Sequence, residues 1–543
     1  KKGTHERNVE MKKMKTLLCA ALALAMVLSM AACGGSSAPA ETTPTGNAAT
    51  ATTAQPAAEP TTVVYGSNDY TRINPAMDEH CEINVLLFDG LTDHDGDNNI
   101  IPRLAKSWEF DKEANTYTFH LEENVKWHDG EPFTAEDVKF TIEAIMDPEN
   151  GAENAPNYED VEEITVVDPY TITFKLAEPN YAFLEYMTMA ILPKHLLEGE
   201  NMQESDYFRK PIGTGPYMIT EWDEGQAIVM DRNPDYFAGP AKIDRIIFKI
   251  VPDDNAKALQ LQSGELTLSQ VTPKDAQLFK NDPAHTVYDE TTSDYRGILY
   301  NFWNEYWQKN ADLIPAINYA IDRQAILDAV VLGCGEIAYG PLQRNVYNDA
   351  DVEHYDYNPA KAAEMLEKAG CTKDADGYWT RDGERIGFVI NATPGDQVRI
   401  DMAQVAAQQL QAIGLDVTAA VPAGGIDWGG QECCIIGWGS PFDADDHTYK
   451  VFGTDKGANY SGYSNPLIDE YLTQARQTDV PEERAAAYAK FQTELANTPA
   501  FTFFCYIDAM YVADSNIQGI ATDTVLGHHG VGIFWNVCDW TIS

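Results

Sequence analysis

The chain has 543 residues, 44% hydrophobic and 10% aromatic, with 84 acidic against 38 basic side chains and a formal charge of −46. That length exceeds one ordinary domain, and that apolar content excludes a disordered chain. The charge excludes a nucleic-acid-binding or anionic-lipid-binding surface as the expected function, because like charges repel.

Ten residues, Lys1 to Glu10, precede Met11 and are not expected to be native. Lys12, Lys13 and Lys15 are followed by an apolar run from Thr16 to Met30, then by Ala31, Ala32 and Cys33. A basic start, a short apolar span and small residues at a cleavage point form an export signal. The run is short for a transmembrane helix, so the mature chain is not expected to span a membrane. Met30-Ala31-Ala32-Cys33 resembles a lipobox, whose cysteine becomes the lipid-bearing N-terminus. Ordinary cleavage beside an incidental cysteine is the alternative. Residues 1–33 are therefore read as signal peptide and lipobox, with lipidation at Cys33. Residues 34–62, rich in Ala, Thr, Pro and Gly, lack the large apolar side chains of a core and read as a flexible tether.

From Val63 the pattern turns mixed α/β. Val63-Val64-Tyr65 is the first expected strand. Thr116–Leu121 and Thr171–Leu176 alternate apolar and polar residues, the period of half-buried strands. Between them, Thr134 and Asp137 open a helix as a capping box, with Val138, Ile142 and Ile145 on its apolar face. Asp253 begins a helix that Gly264 stops. Asp312 is expected to cap one long helix whose apolar face runs from Leu313 to Val331, ending at Gly333. Asn358-Pro359 starts a helix ending at Gly370. Val398–Ile413 is a further helix leading through Gly414 into a strand from Leu415 to Ala420. Pro481–Ala496 is helical, and Phe501–Cys505 is a strand. Beyond Cys19 and Cys33, the seven cysteines are widely spaced and form neither a disulfide framework nor a zinc pattern. Most are expected to be small buried hydrophobes.

Several blocks then share one pattern. They are Pro102-Arg-Leu-Ala-Lys-Ser-Trp108, Lys126-Trp-His-Asp-Gly-Glu-Pro-Phe-Thr-Ala-Glu-Asp-Val138, Ile212-Gly-Thr-Gly-Pro-Tyr217, Arg232-Asn-Pro-Asp-Tyr236, Ala320-Ile-Asp-Arg323 and Tyr357-Asn-Pro-Ala-Lys-Ala362. In this order they resemble the extracellular solute-binding proteins of family 5, the peptide- and nickel-binding class that serves ABC importers. The resemblance implies an α/β, two-lobed fold of the large periplasmic-binding-protein type, with an extra domain inserted in the N-terminal lobe. Mapped onto this chain, lobe I comprises 63–98, 211–295 and 505–543, the inserted domain 99–210, and lobe II 296–504. It further implies a lipid-anchored monomer on the outer face of the cytoplasmic membrane. There it captures peptides by lobe closure and delivers them to permease subunits. A nickel or haem complex, an opine or an oligosaccharide on the same fold is the alternative cargo, and a peptide-sensing receptor the alternative class.

Gly437-Trp438 to Asp446 resembles the family's loop bordering the cleft. Dipeptide binders of the family place an aspartate just after that tryptophan to hold the peptide's amino terminus, but Pro441 falls near that position here. Asp443, Asp445 and Asp446 could pair an ammonium group, and Asx-turn chemistry is the alternative reading of the loop. By the same analogy Asn68, Asp69, Tyr70, Tyr295, Trp303, Tyr339, Trp438 and Tyr506 border the cleft, each aromatic being equally suited to a core. Asn301 reads as structural. Other patterns dissolve on inspection. Asp93–Asn98 imitates a calcium loop but lacks the glycine and glutamate that loop requires, and reads as a polar hairpin turn. Gly333-Cys-Gly335 follows a helix rather than a strand, which argues against a dinucleotide site. His528-His529 has no partner at ligand spacing. No catalytic constellation, cofactor motif or metal site is present in the sequence pattern, so no enzyme is expected.

Overall fold

The computed structural model describes residues 59–77, 81–152, 154–349, 351–527 and 532–543. The export signal, Cys33, nearly all of the tether and His528-His529 lie outside these residues.

Two large sheets organise the described chain. The first has seven strands in the order His285–Glu290, Ala509–Asp514, Leu268–Val271, Thr62–Ser67, Arg245–Ile250, Ala227–Arg232, Tyr217–Asp223. Thr62–Ser67 runs parallel to its two neighbours, and the outer pairs are antiparallel. The second has six, in the order Gly335–Ile337, Phe501–Ile507, Tyr295–Tyr300, Cys433–Trp438, Gly387–Asn391, Asp416–Ala420. A third, four-stranded antiparallel sheet joins Ala105–Asp111, Thr116–Leu121, Thr171–Leu176 and Val161–Asp168.

Burial explains the grouping. The alternation in Thr116–Leu121 places Tyr117, Phe119 and Leu121 inward, and Thr171–Leu176 does the same with Ile172, Phe174 and Leu176. These side chains share one apolar core with Tyr65, Ile246 and Phe248 of the seven-stranded sheet. The six-stranded sheet is covered on both faces. Ile298, Tyr300 and Ile390 pack on helical Ile317, Met402 and Leu410, while Leu299 and Ile436 on the other face meet Leu472, Tyr488 and Phe491. Strands buried on both sides read as near-continuous apolar runs, as Cys433–Trp438 does.

The helix signals act as local chemistry dictates. The Asp137 carboxylate accepts the Thr134 N–H at 2.9 Å and Val138, Ile142 and Ile145 are buried. Asp253 caps Asp254–Ser263, and Gly264 ends it at φ 75°. Asn358 caps Pro359–Lys368, with Gly370 left-handed beyond it. The single long helix expected after Asp312 is instead broken. A 3-10 turn, Ala311–Leu313, leads into Ile314–Ala320; the chain then extends at Ile321 and restarts at Arg323–Val330. The physical reason is Asp322. Its carboxylate accepts the Ala325 N–H at 3.0 Å, so it caps a second helix that the continuous apolar stripe conceals. Asp93–Asn98 does form a hairpin, with Asn98 at φ 61°. Cys334, Cys371, Cys433, Cys434, Cys505 and Cys538 are free thiols, and Cys81, Cys371, Cys433, Cys434 and Cys505 are buried.

Candidate functional site

The chain passes between the two large sheets twice, at residues 291–294 and at Asp508, where one strand ends and the next begins. The crossings are tied together. Ile507 N–H donates to Asp294 O at 2.9 Å, and the Thr292 hydroxyl donates to Ile507 O at 2.6 Å. Arg344 spans both: it donates to Thr292 O, to Asp508 at 2.8 Å and to Glu336 at 2.9 Å. Gly439 lies against them so closely that a Cβ there would meet Ser293 O at 1.7 Å.

Beside these crossings lies a cavity of about 510 Å³. The loop after the first strand, Asn68 to Arg72, forms one wall, and Arg296 of the six-stranded sheet faces it. Glu82, Lys257, Gln270, Tyr511 and, at the crossings, Asp294 and Asp508 add to the polar lining. Charges of both signs are therefore present. Arg296 is bonded to Asp294. Burial, and after it the charge of Arg296, pushes the pKa of Arg399 down. Glu82 accepts hydrogen bonds from Tyr65 at 2.8 Å and Tyr511 at 3.5 Å. Burial raises its carboxyl pKa, against the lowering effect of those hydroxyls and of Lys257.

A second cavity of about 270 Å³ shares Cys81 and Gly527 with the first. Residues 88–95 line one side and the loop Gly439–His447 the other. The Phe442 ring stacks on His94 at 3.6 Å, and His94 Nε2 bonds Glu185 at 2.7 Å. Burial alone would raise the Asp446 carboxyl, but Lys450 and His447 hold it down at about 2.

The residues singled out from the sequence fall in different places. Asn68, Asp69 and Tyr70 line the larger cavity. Trp438 is buried beside His447 and Tyr460. Tyr295 and Tyr506 are fully buried, Tyr295 against Phe501 and Phe503; Tyr506 donates to Gly340 O at 2.8 Å. Tyr339 lines a separate cavity of about 190 Å³ and stacks on His354. Trp303 is 52% exposed. Asp443 is clamped by both terminal nitrogens of Arg484, one at 2.6 Å. Asp445 is bonded to Arg476 at 2.7 Å and to Tyr186. Asn301 donates to the Gln431 carbonyl at 2.7 Å, holding a loop.

Arg296, Glu82, Arg344 and Phe442 escaped the sequence reading. Arg296 carried a usable signal: it is a charge within Tyr295–Tyr300, a strand otherwise made of apolar and glycine residues, all of it buried. Glu82 carried none, since a lone glutamate before a short helix has no pattern. Among the described residues, no three His, Cys, Asp or Glu side chains gather as a metal site. No described helix is long and apolar enough to cross a membrane.

Residues 99–460 match the family described as "Bacterial extracellular solute-binding proteins, family 5 Middle". Over 98% of its length the chain is 28% identical to the whole of the oligopeptide-binding protein AppA of Bacillus subtilis. Among solved structures, it resembles NikZ from Campylobacter jejuni in complex with Ni(L-His). The TM-score there is 0.83 and the identity 34%, across 89% of this chain and 99% of that one. It also resembles the B. subtilis AppA structure in complex with a nonapeptide. For that pair the TM-score is 0.78 and the identity 27%, across 89% of this chain and all of that one.

Proposed function

The chain belongs to the bacterial extracellular solute-binding proteins of family 5, which present solutes to ABC importers, and from that premise we propose that its cargo is short peptides. One observation carries the reading: a cavity of about 510 Å³ whose polar walls hold both carboxylates and guanidiniums. A peptide is a zwitterion with a polar backbone, and such a wall offers partners for its ends and for the backbone between. Hydrated side pockets tolerate varied side chains because water adapts to each. Near full-length likeness to an oligopeptide-binding protein supports the same choice.

A peptide at a hundred times its dissociation constant is expected to stabilise the protein by about 2.7 kcal/mol. A thermal-shift series with peptides of two to nine residues, run beside nickel–histidine, opines and oligosaccharides, measures it. A shift with one of the other classes and none with any peptide would remove the peptide reading and leave the family. Nickel–histidine heads that comparison because NikZ, bound to Ni(L-His), is 34% identical to this chain.

Capture is proposed to work by closure of two lobes, with lobe I at 63–98, 211–295 and 505–543, the inserted domain at 99–210 and lobe II at 296–504. Sheet membership of the strands and the paired crossings support this division except at 505–507, which belong to the six-stranded sheet through the strand Phe501–Ile507. Hinge closure needs a few residues that absorb the motion and a defined closed geometry. Arg344 grips both crossings, so Arg344→Met is expected to weaken peptide affinity about tenfold, on the order of 1.5 kcal/mol. Calorimetry on the purified variant checks this, and unchanged affinity would count against a hinge role.

The mature protein is proposed to be a monomer held by a lipid on Cys33 at the outer face of the cytoplasmic membrane. Docking onto permease subunits would follow. Cys33→Ser is expected to release it into the medium, and persistent membrane association would argue for another anchor.

A further inference from the structure

The cavity wall distinguishes its carboxylates by what already holds them. Asp294 is bonded to Arg296, and Asp508 to Arg344 at 2.8 Å. Asp69 is exposed, where water weakens any ion pair. Glu82 differs from all three. It is half-buried, lines the cavity, and is held by two tyrosine hydroxyls rather than a cation. Among the described residues no cation stands within ion-pair distance of it. Lys257 acts on it at longer range and is itself paired with Asp254 at 3.3 Å. A Cβ on Gly532 would meet Glu82 Oε1 at 2.7 Å, so the C-terminal segment roofs the carboxylate and limits its solvation.

The loop of the other sheet offers no rival. Asp443 is clamped by Arg484, Asp445 by Arg476, and Asp446 lies at 3.5 Å from Lys450. Its three acids are already neutralised by cations of their own surroundings. Three cations line the cavity: Arg72 and Lys257 on the side of Glu82, and Arg296 on the side of the six-stranded sheet. Glu82 is thus the wall carboxylate that no described cation pairs directly, and Arg296, shared with Asp294, is the cation that the six-stranded sheet presents to the same cavity.

We infer that Glu82, framed by Tyr65 and Tyr511, is the residue that receives the ligand's ammonium group, with the ligand's carboxylate end directed towards Arg296. The inference rests on the peptide reading, and it fixes which end of the peptide meets which sheet. Tyr65 and Tyr511 are positioning residues: their hydroxyls fix the carboxylate's orientation and leave its remaining lone pairs for N–H donors. Because burial raises the Glu82 carboxyl pKa, arrival of an ammonium favours its ionised form. Peptide binding at mildly acidic pH should therefore release protons.

The test compares free and N-acetylated forms of one tripeptide, by calorimetry, on wild-type protein, Glu82→Gln and Asp69→Asn. Wild type is expected to prefer the free amine by about ten- to a hundredfold, the range for a hydrogen-bonded charge. Glu82→Gln should shrink that preference to within about threefold, whereas Asp69→Asn should keep it. Calorimetry at pH 5 in two buffers of different ionisation heat should show proton release by wild type and none by Glu82→Gln. Equal binding of both peptides by wild type overturns the inference without any variant. So does a Glu82→Gln protein that keeps the full preference. Wild type that binds neither peptide refutes the peptide reading and the inference with it, an outcome distinct from the other two.

Discussion

Arg476→Met is expected to lower folding stability by about 3–5 kcal/mol, measured by denaturant unfolding at neutral pH. The guanidinium side chain is 5% exposed and its partner Asp445 is fully buried. Arg476 donates to Asp445 from Nη2 at 2.7 Å and from Nε at 3.2 Å, and to Asp160 at 3.2 Å. Its backbone carbonyl accepts Tyr181 N–H at 3.0 Å, and its guanidinium lies 3.4 Å from the Tyr449 ring centre. Burial alone would lower the Arg476 pKa, yet Asp445 and Tyr186 raise it overall. The cluster is thus strongly bound to its proton. Removing the cation leaves a fully buried carboxylate whose remaining side-chain partner among the described residues is the Tyr186 hydroxyl. The double variant Asp445→Asn, Arg476→Met removes that orphan charge and should recover more than half of the loss. A single variant within 1 kcal/mol of wild type would show that the pair is far better solvated than its burial implies. The same residues join segment 159–186 to segment 445–476, across the proposed cleft. The single variant should therefore also weaken ligand affinity, since closed-state contacts would be lost.

How much of this was legible in the sequence depended on whether the cause was local. Thr134 with Asp137, Asp253 with Gly264, and Asn358 with Gly370 mark helix ends through bonds spanning three or four residues. Such signals survive in a linear reading. The alternation in Thr116–Leu121 likewise depends only on which face meets a core. The break at Ile321-Asp322 escaped because its apolar stripe is continuous while its cap is a single aspartate. The candidate site was less legible still. Asn68 to Tyr70 were reached by resemblance and do line the cavity. For Asp443 and Asp445, the decisive neighbours, Arg484 and Arg476, lie 41 and 31 residues away. Whether an acid is available to a ligand turns on such distant partners. The sequence shows the acid and not its counter-ion. Glu82 shows the converse: its value as a site comes from Tyr65 and Tyr511, residues 17 and 429 positions away.

Glu290→Gln is expected to stabilise the protein at pH 8 by on the order of 2–3 kcal/mol and to have little effect at pH 4. Glu290 ends the strand that precedes the first crossing. It is 1% exposed, and neither carboxylate oxygen finds a hydrogen-bond donor among the described residues. Burial, reinforced by Asp289 and Asp523, pushes its carboxyl pKa from 4.5 up to about 7. Tyr288 and Tyr511 also feel its charge, and both are raised, chiefly by burial. Below pH 4.5 the carboxyl is protonated in folded and unfolded chains alike and contributes nothing. Between 4.5 and about 7 the unfolded chain loses the proton first, so the folded state binds more protons and stability falls as pH rises. Above about 7 both are ionised and the full penalty is present. The amide carries no charge to desolvate and escapes that penalty, although it too lacks partners. Denaturant unfolding of both proteins from pH 4 to pH 8 isolates the effect, because every other titrating group is common to the two. The difference should open through the window from 4.5 to about 7 and then level off. A difference that stays constant with pH would mean that Glu290 finds a cation or water, and would place the cost of that buried corner in packing rather than charge.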